Sequence, residues 1–205
     1  MNTTVRAMAL VGLLAFGCNK PDPPEPPEVS NLQRLGDAEI EEMAGSKLNG
    51  IGVATIERGQ LLDKLRRLQT DEEFKARSAR FGIQAVAAFE LGEGGAVVKY
   101  ARGAGRIQFA GGREDAALGL EAYSFGAVIG GSATQGVILF LGLQDEAATN
   151  GTYVGSVTRA TAATAETEDA TILVHETNGH YAYLVTVGQG LTADAGKSKL
   201  TLSVR

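Results

Sequence analysis

Two hydrophobic periods divide the chain near Phe81. From Leu32 to Phe81, apolar residues recur at helical spacing among charged ones. In "QLLDKLRRL", Leu61, Leu62, Leu65 and Leu68 form one stripe, and Asp63, Lys64, Arg66 and Arg67 lie outside it. That is the layout of an amphipathic helix packed on a core. Its polar face mixes signs, unlike the basic face of a helix lying on a membrane. Thr70 followed by Glu73 has the spacing of a capping box, in which each side chain satisfies the other's backbone N–H. "TDEEFKARSARFG" therefore predicts a second helix that stops near Gly82.

Beyond Phe81 the period falls to two. "AVVKYA", "RIQFA", "YSFGAVIGG", "GVILFLGL", "TYVGSVTRA", "TILVHE", "HYAYLVTVG" and "KLTLSV" are short runs rich in Val, Ile, Tyr, Phe and Thr between glycine-rich or polar breaks. Val137 to Leu143 is apolar at every other-face position too, which predicts a central strand covered on both sides. In "VHETNGHYAYLVTV", Asn178-Gly179 suits a two-residue type I′ turn. That turn would pair Thr177 with His180 and Ala182 with His175, setting the two histidines diagonally on one face. No proline follows Pro27, so nothing interrupts the ladders. The pattern predicts an α+β protein: N-terminal helices, then a glycine-rich, mainly antiparallel sheet or barrel-like domain of about seven or eight strands.

Composition sharpens this. The 205 residues suffice for one ordinary domain with a helical appendage. Twenty of the 27 glycines follow Phe81, so the second half is built from turns and closely approaching backbone. Lys and Arg number 19 against 24 Asp and Glu, a net charge of -5 without a basic tail, which excludes an electrostatic grip on nucleic acid. A single cysteine forms neither an internal disulfide nor a thiolate metal site.

That cysteine sits in "GLLAFGCNKPDPPEPPE". Arg6 precedes a ten-residue apolar stretch, Ala7 to Phe16, and small Gly17 stands before Cys18. Charged, apolar and small residues in that order make a secretory signal. As a helix the stretch spans about 15 Å, half of a bilayer core of about 30 Å, too short for a permanent span. A cysteine after the small residue, ahead of a proline-rich tract, resembles the lipobox of bacterial lipoproteins. The resemblance implies cleavage before Cys18 and acylation of Cys18. Asn19 after the cysteine is similar to enterobacterial lipoproteins sorted to the outer membrane. An ordinary signal with a leftover thiol, or a buried N-terminal helix, are the alternatives. "NKPDPPEPPEVS" forms neither helix nor ladder, because proline lacks the donor and fixes φ. It extends as a spacer at about 3.1 Å per residue. The domains expected are residues 1–17 as signal, 18–35 as lipidated cysteine and tether, 36–80 as helices and 81–205 as the β domain.

Catalytic chemistry is hard to find. His175 and His180 lack a third ligand, because Glu176 points to the other face, so they read as solvated or locally bonded rather than as a metal site. "GGSATQG" has Thr134 where a nucleophile elbow needs its second glycine. "GEGGAVV" and "GAGRIQ" lack the third glycine of a dinucleotide fingerprint. The sequence predicts no enzyme, no metal and no cofactor. Lys99, Arg102, Arg106 and Arg113 fall within fifteen residues that hold no acid, a cluster able to take phosphate head groups. Scattered outer-face charges are the alternative reading.

"SFGAVIGGSATQGVILF" and "TILVHETNGHYAYLVTVGQG" together are similar to the SYLF, or YSC84-like, lipid-binding domain. The first stretch carries Gly126, Gly130, Ala133-Thr134 and Val137 to Phe140; the second carries Ile172, Gly179, Tyr181 and Gly188. "GEGGAVVKY" resembles that family's glycine-rich opening strand. The resemblance, over roughly Phe81 to Leu191, implies a lipid- or membrane-binding β domain. With the N-terminus it points to a non-catalytic, lipid-anchored protein of the cell outer membrane, on its periplasmic face or surface, with phospholipid as partner. An envelope module that joins proteins through its sheet edges is the rival.

Overall fold

The computed structural model describes residue 26 and residues 30–94, 99–111, 115–124, 133–155, 170–187 and 199–205. Three helices come first: α1 Asp37–Gly50, α2 Thr55–Thr70 and α3 Glu72–Phe81. Eight strands follow: β1 Ile83–Gly94, β2 Lys99–Phe109, β3 Ala116–Ser124, β4 Ala133–Leu141, β5 Gly151–Gly155, β6 Thr171–His175, β7 Tyr181–Val187 and β8 Lys199–Val204. They close into a barrel in the order β1-β2-β3-β8-β5-β6-β7-β4, every pair antiparallel. The order resolves into two Greek keys, β4-β1-β2-β3 and β8-β5-β6-β7, joined where β3 meets β8 and β7 meets β4. The chain is therefore an α+β protein built on a closed barrel. Closure pairs every described strand on both sides, which removes the open sheet edges that edge-to-edge joining of a partner would need.

The alternation of the strands makes two cores. One fills the barrel: Ala85, Ala87, Phe89 and Leu91 of β1 meet Ile107, Phe109, Leu118, Leu120, Ile138, Phe140, Leu184, Leu200 and Leu202. The other lies outside, where the alternate residues of β1, β4 and β7 meet the helices. There Val86, Val137, Leu139 and Val185 pack beneath Ile40, Leu48, Leu61, Leu65 and Phe74. β4 is thus apolar on both faces because both are covered. The outward positions of β2, β3 and β8 carry Arg102, Arg106, Glu121, Thr201 and Ser203, and among the described residues α1 reaches this face beside Arg106. An apolar inside with a polar outside reverses the pattern of a membrane-spanning barrel. Among the described residues no helix is long and apolar enough to cross a membrane.

Glycine sets the curvature of the wall. Phe89 lies opposite Gly105 on β2 and Gly136 on β4, and its ring occupies the space that a side chain on Gly136 would take. A Cβ on Gly136 would stand 2.6 Å from Phe89 Cζ, and one on Gly105 would stand 2.2 Å from the Ala88 carbonyl oxygen. These positions admit only glycine, and the large residue between them restores the packing they lack. Gln84 secures the start of the barrel from within. Fully buried, it donates to Phe81 O at 2.7 Å and accepts from Gly142 N and Leu143 N at 2.8 and 3.2 Å. The register of β1 against β4 shifts there, between Ile83 and Ala85.

Several local expectations are corrected. β1 was not among the expected strands: "IQAVAAFELGEG" is rich in alanine and glycine, with Ile83 and Val86 as its β-branched residues, and tertiary packing overrides that weak propensity. Lys99 to Ala101 of "AVVKYA" and Arg106 to Phe109 of "RIQFA" belong to one strand, β2, because Gly103 and Gly105 between them continue the ladder instead of ending it; residues 96–98 lie outside the described residues. β3 starts at Ala116, before the run expected at Tyr123. The cap of α3 is Asp71, whose Oδ1 accepts from Phe74 N at 2.8 Å. Thr70 is instead the last residue of α2, its hydroxyl donating to Arg67 O at 2.7 Å. Gly82 ends α3 with φ 74°, as its position predicts.

The stretch before α1 belongs to the folded body. Ser30 Oγ donates to Leu143 O, Asn31 N to Gln144 O at 3.2 Å and Leu35 N to Ile83 O at 2.8 Å. Leu32 packs against the barrel core. Arg34 lies across Gly82 and donates to Ala79 O at 3.0 Å and Arg80 O at 3.3 Å, satisfying the carbonyls that end α3. The part of residues 18–35 available as spacer is shortened accordingly.

Candidate functional site

Of the four cations singled out in sequence, Arg102 and Arg106 have described side chains. Lys99 begins β2 opposite Ser124, and its side chain is outside the described atoms. Its odd spacing from the two arginines places its backbone on the other face of the pleat. Arg113 and Cys18 lie outside the described residues, as do Gly126, Gly130 and Gly188 of the resemblance.

Arg102 and Arg106 are both exposed on the outer face of β2, four residues and about 13 Å apart. They have different surroundings. Arg102 faces Glu121 across the ladder, and its Nε stands 3.3 Å from that carboxylate. Such an exposed pair contributes less than about 1 kcal/mol, but it leaves the patch mixed in sign. Glu90, exposed on the outer face of β1, adds another carboxylate within reach of Gln135. Arg106 runs beside the last turn of α1, where a Cβ on Gly50 would lie 4.0 Å from its Cδ. A cation there complements the negative end of the helix. The acids that neutralise the patch stand on neighbouring strands, so a scan along β2 alone cannot find them.

Sequence reasoning underestimated the histidines. The β6–β7 register differs by two residues from the expected one: Leu173 faces Ala182 and Val174 faces Tyr181. His175 then lies directly opposite His180, joined by His175 N to His180 O at 2.9 Å and Gly179 N to His175 O at 3.1 Å. Four residues, Glu176 to Gly179, make the turn. The imidazole itself explains the difference, since His175 Nδ1 accepts from Thr177 N and Asn178 N at 3.2 and 3.1 Å and so shapes the longer loop. With Nδ1 accepting, the proton sits on Nε2, which donates to Asn150 O at 3.2 Å. Gly151 keeps φ 140° beside it, where a Cβ would stand 2.3 Å from His175 Nε2.

Both histidines are buried, not solvated. Their rings stack with centroids 4.5 Å apart, and each meets the ring of Tyr153 edge-on at 5.0 and 5.3 Å. Tyr153 OH donates to Thr149 O at 3.0 Å, and its oxygen takes Nε2–H of His180 at 2.7 Å. Burial, and after it the neighbouring His175, lower the pKa of His180 to about 3. Burial also raises the Tyr153 hydroxyl well above its ordinary value. Both nitrogens of His175 are committed to the backbone. Among the described residues no group of three or more His, Cys, Asp or Glu is placed to hold a metal. The cluster fastens the end of the barrel, tying β5, β6 and β7 to the 142–150 connection.

No family model and no curated protein sequence matches this chain. Among solved structures, a β-barrel-like, uncharacterised protein from Brucella abortus is similar at 17% identity, over 84% of this chain and 95% of that one, with a TM-score of 0.49.

Proposed function

We propose that this is a non-catalytic, lipid-anchored protein of the cell outer membrane, acylated at Cys18, whose barrel works beside the bilayer. The observation that carries the reading is the order of the first thirty residues: one cation, a short apolar run, Gly17, Cys18 and then all five prolines. The barrel adds support, because its outward arginines, glutamate and hydroxyls suit water, so attachment falls to the N-terminus. Several acyl chains at one residue hold a protein durably where a single chain would not. The glycine-spaced motifs carry the likeness to SYLF lipid-binding domains, and Arg106, toward the Phe109 end of β2, is the described side chain that would meet a phosphate head group.

The ion pair of Arg102 with Glu121 favours a second reading, an envelope module that binds proteins and not lipid. One experiment addresses the anchor. Cys18→Ser is expected to reduce the membrane-fractionated protein about tenfold, and mass spectrometry of the wild-type N-terminus to find Cys18 first and acylated. A substituted protein that still sediments with membranes would refute the anchor. Flotation of residues 26–205 with phospholipid vesicles separates the two readings: the first requires flotation that Arg106→Ala weakens, whereas the second requires none.

A further inference from the structure

We propose that the barrel end holding the 142–150 connection and the β6–β7 turn faces the bilayer, and that the opposite end, where β1 leads to β2, points away from it. The inference rests on Cys18 being the acylated residue. It adds which surface of the protein meets the membrane.

The argument is geometric. Pro26 is buried against Gly142 at the end of β4, where a Cβ on the glycine would come 2.7 Å from the Pro26 ring. Ser30, Asn31 and Leu35 then fasten the chain to Leu143, Gln144 and Ile83, all at the same end. Seven residues separate Cys18 from Pro26. Fully extended, that stretch reaches about 28 Å, and as the extended proline-rich helix about 25 Å. The anchored barrel end therefore stays within about 28 Å of the acyl-bearing residue. Along β1, Ile83 and Gly92 are nine residues apart, about 30 Å of strand and about 23 Å along a tilted barrel axis. The tether and the barrel are thus similar in length. With its root at one end, the tether keeps that end nearer the membrane.

The charge at the anchored end does not select a lipid. Arg34, Arg80 and Arg205 are exposed there beside exposed Asp145 and Glu176. The tether fixes the orientation, and an uncharged bilayer suffices. The surface near the membrane is made of the Glu176–Gly179 turn, the 142–150 connection and the end of β2 at Phe109.

The test is energy transfer in the full, acylated chain reconstituted in phosphatidylcholine vesicles that carry a rhodamine-labelled lipid. A donor fluorophore is placed on Asn178→Cys or on Gly92→Cys; acylation blocks Cys18, so the added thiol takes the label. Both sites are exposed, and a Cβ at Gly92 meets nothing closer than the Arg102 carbonyl oxygen at 3.9 Å. Circular dichroism checks that both variants fold. The expected result is a donor at 178 nearer the bilayer plane than a donor at 92 by about 20 Å. Equal transfer, or stronger transfer from 92, in acylated protein would overturn the orientation alone. A mature chain without acyl mass would overturn the anchor and the orientation together.

Discussion

A residue can carry a role that its own neighbourhood in the chain hides. His180 follows a turn, a place where histidine is usually wet, yet it is 1% exposed, and its charged form is disfavoured. The consequence for stability has a definite sign. In the unfolded chain the imidazole takes a proton near pH 6.5, whereas in the fold it does so only near 3. Between those values the unfolded state binds more protons, so stability is full above about pH 6.5 and falls as the pH drops toward 3. From pH 7.5 to pH 4.5 this single group is expected to cost about 2–3 kcal/mol. Urea unfolding at the two pH values measures it, and His180→Gln should lack this part of the loss. An equal acid loss in His180→Gln would assign the effect to other groups. Of the residues discussed, Phe89 was the hardest to read, since its meaning comes from Gly105 and Gly136 on two other strands.

At the scale of elements, local signals located the helices well and their junctions less well. The leucine stripe of α2 packs as its spacing predicts: Leu61, Leu65 and Leu68 are buried and Leu62 partly so. The start of α3 was misplaced by one residue, since two adjacent residues, Thr70 and Asp71, can both cap and only the geometry chooses. Asp71→Ala is expected to destabilise the protein by about 1 kcal/mol through the lost cap, and Thr70→Ala by less than about 0.5 kcal/mol. Chemical denaturation of the pair checks the assignment; the reverse order would restore Thr70 as the cap. α3 is also held by its side chains. Arg77 donates to Tyr183 OH at 2.7 Å, pairs with Glu73 at 2.6 Å and lies 4.9 Å over the Tyr181 ring, while Phe74 meets Tyr183 edge-on at 5.1 Å. Lys64 reaches from α2 to Thr186 O at 2.9 Å. These contacts, with the apolar layer beneath, keep the helices on β4 and β7 and off the polar face of β8.

For the whole molecule, the segment before α1 matters more than its composition suggests. Residues 30–35 give two backbone hydrogen bonds, the Ser30 hydroxyl, the Leu32 contact and the Arg34 cap to the same barrel end. A chain starting at residue 36 is expected to be about 2–4 kcal/mol less stable than one starting at residue 26. Thermal or urea unfolding compares them, and equal stability would show that the segment only rests on the surface. The connection from Gly142 to Asn150 is held on one side by this segment and on the other by Tyr153, His175 and His180.

The sequence by itself determined what depends on neighbours within a few turns or a few residues. The change of period at Phe81, the stripe of α2, the two apolar faces of β4 and the order of residues around Cys18 all come from such short windows, because helix and strand repeat every 3.6 and two residues. Only the tertiary structure decided the rest. The β1–β4, β3–β8 and β5–β8 pairs join residues far apart in the chain, and barrel closure depends on glycine and Phe89 complementing each other across three strands. Arg102 meets Glu121, His175 meets His180 and Leu32 meets the barrel core for the same reason: each contact exists only after the sheet has curved and closed.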